Sequence, residues 1–152
     1  MVLSPRLLSK AIAEPKYVLL CLWAFKQLWA VDNRLKEMAI AALKMPANTK
    51  PISLDLELTK EIQQRATAIA WTGKIHPLRP KCLHRSLVLH QWLQERGINA
   101  RLEIGWGKDI GHAWVSYDNK VLNDRADIAE VTPRLTRVTE MKKIDSTIKT
   151  VI

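Results

Sequence analysis

A chain of 152 residues and 17.4 kDa has the size of one domain, and its 47% hydrophobic and 26% charged residues are those of an ordinary globular protein. That balance excludes a disordered chain, a collagen-like repeat and a coiled-coil array. Lys and Arg outnumber Asp and Glu by 24 to 15, a net charge of +9, and two cysteines are too few for a disulfide framework.

The basic excess lies toward the N-terminus. Residues 1–50 hold eight Lys and Arg against three Asp and Glu, whereas residues 99–152 hold nine against eight. The charges are scattered singly and no DNA- or RNA-recognition motif accompanies them, so no nucleic-acid partner is expected. Such a surface attracts an acidic peptide, an acidic protein or anionic lipid head groups. Nothing demands an oxidising compartment, and the expected location is the cytoplasm.

In chain order, the first element is the apolar run YVLLCLWAFKQLWAV, residues 17–31. It is interrupted by Lys26 and Gln27 and falls short of the roughly 20 apolar residues that cross a bilayer. It also lacks the cleavage site of a signal peptide. Its spacing predicts a helix over 16–30 with a wide apolar face, packed on its own domain or a partner in preference to a membrane surface. A second helix is expected over 33–44, ended by the Pro-bounded segment 46–51. A third spans 56–72, with Gly73 as its stop signal. Pro77 and Pro80 mark a loop, and 81–97 then reads as a buried helix closed by Gly97, with Cys82 in its first turn. After Gly97 the period becomes two: a strand over 100–106, a turn at 107–111 and a strand over 112–117. Asp118-Asn119 supplies a tight turn, 121–124 a short third strand, and the tail 131–152 one edge strand. The expected fold is α+β in one domain: a helical segment, residues 1–50, belongs to the same domain as the core over 51–152.

Three residues in this frame suit acyl transfer. Cys82 stands at a helix start, His112 at a strand start and Asp124 at a strand end. Only a thiolate attacks a carbonyl, and a helix N-terminus stabilises negative charge. An imidazole can take the thiol proton and return it to the leaving amine, while a carboxylate on the far ring nitrogen fixes the tautomer. Backbone N–H groups at the helix start could hold the oxyanion. The hairpin constrains this reading. A two-residue turn pairs Tyr117 with Lys120 and puts His112 and Asp124 on opposite faces. A three-residue loop, 117–119, would set them opposite each other, so an odd loop or bulge is expected, with Asn119 at positive φ. On spacing alone, a buried structural cysteine and a packed histidine remain the commoner explanation. His84 points away from Cys82, His90 shares the apolar face of its helix, and Cys21 reads as structural. A zinc site of Cys82, His112 and a carboxylate lacks a close ligand pair. No phosphate- or dinucleotide-binding glycine motif is present.

The run KCLHRSLVLHQWLQERGINARLEIG, with HAWV and VLND after it, resembles the transglutaminase-like cysteine peptidases of lasso-peptide maturation, the leader peptidases of the microcin-processing type. The likeness is dense over residues 80–124, one of character in the helical first half, and slight in the last 25 residues. It implies a papain/transglutaminase-like core with the nucleophile helix packed on a small antiparallel sheet. It also implies Cys82 as nucleophile, His112 as general acid/base and Asp124 as orienting carboxylate, with no cofactor and no metal. The implied reaction is hydrolysis of a precursor peptide between leader and core. With no room for a leader-binding domain of about 80 residues ahead of the core, the chain resembles the stand-alone peptidase. It would then work with a separate leader-recognition protein and beside an ATP-dependent macrolactam cyclase. Lys81, where Arg is common, and Ser116, where an acidic residue is frequent, depart from the pattern without touching the triad. Two alternatives stay open: another thiol acyl transferase or amidase of this fold, and a non-catalytic peptide- or partner-binding scaffold.

Overall fold

The computed structural model describes residues 14–37, 54–107, 110–124 and 128. Three helices, α1 (Pro15–Glu37), α2 (Leu56–Ile75) and α3 (Cys82–Glu95), precede the strands β1 (Arg101–Gly107), β2 (Ile110–Tyr117) and β3 (Lys120–Val121). The expected α+β order is what forms.

The helix α1 corrects the sequence reading. It runs unbroken through the junction expected near residues 31–33 to Glu37, and residues 38–44 of the expected second helix lie outside the described residues. Asp32 looks like a boundary residue but is only 5% exposed, because His84 and Lys36 bind its carboxylate. A polar residue with partners across the fold does not end a helix. Leu20, Ala24, Leu28, Val31 and Leu35 form the buried face, while Leu19, Leu22 and Trp29 stay exposed, so the apolar girdle is only half used. No helix among the described residues is long and apolar enough to cross a membrane.

Asp55 starts α2 as its N-cap, accepting the Leu58 N–H at 2.7 Å. Gly73 does not stop this helix, which continues to Ile75. Its role is proximity: a Cβ there would meet Arg85 Cδ at 3.2 Å, so the bare backbone lets α3 come close. Gly97 does end α3. At φ 73° it allows the Ile98 N–H to reach Leu93 O at 2.9 Å and its own N–H to reach Gln94 O at 2.9 Å, closing the orphan carbonyls.

Helix α3 is the centre of the molecule. Leu83, Leu87, Val88, Leu89, Trp92 and Leu93 are buried together, against Ala24 and Leu28 of α1, Ile62 and Ile69 of α2, and Ala113 and Val115 of β2. Arg65 of α2 lies between the rings of Trp23 and Trp92, 4.4 and 4.5 Å from their centroids, and ties the three helices at their margin.

The sheet is antiparallel in the order β1-β2-β3. Between β1 and β2 the register runs from Arg101 opposite Ser116 to Gly107 opposite Ile110, so Gly107, Ile110 and Gly111, expected in a turn, belong to the strands; residues 108–109 lie outside the described residues. The second turn corrects the odd-loop expectation. Tyr117 pairs with Lys120, and Asp118 and Asn119 both take positive φ, 47° and 59°. That is the two-residue geometry whose twist suits a hairpin. Strand β3 is correspondingly short, and residues 122–124 bend out of the ladder where a strand was expected. The expected edge strand over 131–152 lies outside the described residues.

The burial pattern sets a contrast for urea denaturation. Leu89 is 0% exposed, so Leu89→Ala should cost about 2–5 kcal/mol of stability. Leu22 is 63% exposed, and Leu22→Ala should change it by less than about 0.5 kcal/mol.

Candidate active site

The proposed nucleophile opens α3. Its flank is held by a relay of polar groups on α1 and α3. The Lys81 backbone N–H donates to His84 Nδ1 at 3.3 Å, which places the imidazole proton on Nε2, facing Asp32 Oδ1 at 3.3 Å. The other Asp32 oxygen pairs with Lys36 Nζ at 2.6 Å. Burial is the main force lowering the His84 pKa, and it outweighs the opposing pull of Asp32. Burial also pushes the Asp32 carboxyl up, but Lys36 and His84 more than offset it and hold it below the usual carboxylate range. A neutral imidazole thus stands beside a carboxylate whose charge Lys36 balances.

His112 and Asp124 meet directly. Nε2 of His112 lies 2.6 Å from Asp124 Oδ2, with the two side chains 26% and 24% exposed. The ring also stacks near Trp114, centroids 6.3 Å apart at 24°. With Nε2 turned to the carboxylate, Nδ1 is the nitrogen left to exchange a proton with a nucleophile. Cys82 is a half-buried free thiol that shares with Asp124 the wall of a small, half-open cavity of about 40 Å³. Ala66 and Ile69 of α2 give this cavity an apolar side, and Ala113, the neighbour of His112, completes it next to the strand. The structure thus joins the second and third candidates by a hydrogen bond, and brings the first to the cavity that Asp124 lines, without a hydrogen bond between thiol and ring among the described residues.

Two residues at this place escaped the sequence reading of roles. Ser86, one turn after Cys82, donates to the Ala113 carbonyl at 2.9 Å. Asn123 donates through Nδ2 to Ser86 Oγ at 2.9 Å and accepts the Val115 N–H on Oδ1 at 2.8 Å. Ser86 stood at helical spacing from Cys82, and Asn123 stood beside Asp124. Nothing local linked them across 37 residues.

The remaining candidates serve the fold. His90 is buried with Nε2 3.2 Å from the Ala100 carbonyl, and its pKa is lowered by burial. The Cys21 carbonyl accepts from Thr72 Oγ1 at 3.4 Å. Among the described residues, no cluster of three His, Cys, Asp or Glu is spaced to hold a metal ion.

A family model described as the transglutaminase-like superfamily matches residues 19–136. No curated protein and no solved structure matches the chain.

The buried imidazoles set the pH dependence of folding. His84 and His90 are held neutral in the folded state, so below a pH of about 6.5 the unfolded chain binds more protons. Stability should be complete above that pH and fall as acid approaches the lowered native values. The Asp32 contribution persists further and is lost only as pH drops below the ordinary carboxylate value. Thermal melts from pH 8 to 5 should therefore be flat above neutrality and decline below about 6.5. His90→Gln should flatten that decline.

Proposed function

The chain belongs to the transglutaminase-like superfamily, and from that membership we propose that it is a cysteine peptidase of lasso-peptide maturation, cutting a precursor between leader and core. Membership supports thiol-based peptidase or acyl-transfer chemistry. The finer assignment leans on the resemblance over residues 80–124. The observation that carries the catalytic reading is the 2.6 Å bond between His112 Nε2 and Asp124 Oδ2, with Asp124 lining the same cavity as Cys82 at the start of α3.

In this reading the substrate's scissile carbonyl enters the cavity beside Cys82. His112 Nδ1 takes the thiol proton, and the sulfur adds to the carbonyl carbon. Asp124, bound to Nε2, stabilises the imidazolium. The first N–H groups of α3, without partners inside the helix, face the developing oxyanion. As the C–N bond breaks, the imidazolium returns its proton to the leaving amine. Water then attacks the thioester with His112 as base, releasing the carboxylate of the leader and regenerating the thiol. No metal or organic cofactor enters these steps.

The setting follows from composition and likeness. A cytoplasmic peptidase of this kind would receive its precursor from a separate leader-recognition protein, with an ATP-dependent cyclase acting on the freed core amine. The net charge of +9 suits an acidic leader segment. Peripheral contact with a membrane through the exposed apolar residues of α1 is the lesser use of that surface.

Mass spectrometry tests the reaction. The purified protein, given a lasso-type precursor peptide and a leader-recognition protein, should yield leader and core as plain hydrolysis products. Cys82→Ala should abolish them while circular dichroism stays unchanged. Asp124→Asn should lower kcat by about two to four orders of magnitude. Products carrying an added amine would make the protein a transferase, and undiminished cleavage by the Cys82→Ala protein would leave only a scaffold.

A further inference from the structure

We propose that Asn123, seated on Ser86, is a positioning residue that turns Asp124 onto His112; the inference rests on the triad reading above. The reason lies in the hairpin register. Tyr117 pairs with Lys120 and Ser116 with Val121. A ladder continued in that step would set Ala113, and not His112, across from Asp124, and alternation would send the two side chains to opposite faces. Yet the imidazole and carboxylate are 2.6 Å apart. The ladder has to be broken between Val121 and Asp124.

The break is visible in the hydrogen bonds. Leu122 N–H still donates to Val115 O at 2.9 Å, one half of the next rung. The other half is gone. Val115 N–H donates to the side-chain Oδ1 of Asn123 at 2.8 Å, where a regular ladder would offer the Leu122 carbonyl. Val115 is fully buried, so its N–H must keep an acceptor if the backbone at 122–124 is to leave the sheet. Asn123 supplies that acceptor one residue later and frees the main chain to bend.

Ser86 makes the substitution directional. Asn123 Nδ2 donates to Ser86 Oγ, and the Ser86 hydroxyl donates to the Ala113 carbonyl, each at 2.9 Å. Every donor in this chain thus has one acceptor, and the amide cannot flip without losing both of its bonds. Each link also lies beside a triad member. Ser86 is one helical turn from Cys82, Ala113 follows His112, and Asn123 precedes Asp124. Asn123 therefore links the helix of the thiol, the strand of the imidazole and the segment of the carboxylate without touching a reacting atom.

The test uses the full-length protein and two readouts. The first is the proton resonance of His112 Nε2–H, which Asp124 should shelter from solvent exchange, with Asp124→Asn as the reference for its loss. Asn123→Ala should remove the resonance while melting stays cooperative, and Ser86→Ala should weaken it. The second readout is turnover of the precursor peptide. Asn123→Ala should lower kcat by about 10- to 100-fold with KM nearly unchanged, as a misplaced catalytic group does. If the Asn123→Ala chain does not fold, Asn123→Asp decides. It keeps the acceptor for Val115 N–H, so the resonance should survive there, and its absence in a cooperatively folded Asn123→Asp protein would overturn the proposal. An unaltered resonance in a folded Asn123→Ala protein would overturn it equally. Loss of the resonance in a protein that never cleaves the precursor would keep the positioning role and remove the peptidase reading instead.

Discussion

Helix α3 is buried on almost every side, and that constraint organises the rest of the molecule. A helix surrounded by protein must match each polar side chain with a partner, since an unsatisfied buried group costs more than a hydrogen bond returns. His84 finds Asp32 of α1, Ser86 finds Ala113 of β2, and His90 finds Ala100 in the approach to β1. The apolar positions between them meet α1, α2 and β2. Polar pairs therefore fix how α3 is rotated and how far it slides, while hydrophobic contact supplies most of the stabilisation.

The candidate site inherits its geometry from these pairings. On one flank, the Asp32–His84 relay holds the backbone at Lys81, the residue before the thiol. On the other, Ser86 anchors the strand and the segment that present imidazole and carboxylate. The two supports come from different elements, α1 and β2, and Cys82 stands between Lys81 and Ser86, the two positions they hold.

What could be read in advance divides along a physical line. Gly97 and the Asp118-Asn119 turn were legible because positive φ is a local demand with a short list of suitable residues. The buried character of α3 and the strand alternation after it were legible from periodicity. Cys82, His112 and Asp124 stood out through residue type and place, strengthened by the resemblance over residues 80–124. The unbroken α1 was not legible, because the partner that buries Asp32 lies 52 residues away on another helix. Gly73 looked like a helix stop because its true reason, the approach of Arg85, belongs to packing. The odd-loop expectation failed for a similar cause. It assumed that backbone alone completes a ladder, whereas here an asparagine side chain takes a carbonyl's place.

The two-residue turn carries a consequence for the order in which this protein comes together. Asp118 and Asn119 can bring Ser116 to Val121 with no help from the remainder of the chain. Aligning His112 with Asp124 needs more, since the amide that bends the chain is tethered to a serine 37 positions upstream. An early hairpin would thus leave imidazole and carboxylate out of line. Their pairing would be completed only once the central helix has docked, the local turn forming first and the long-range tether last.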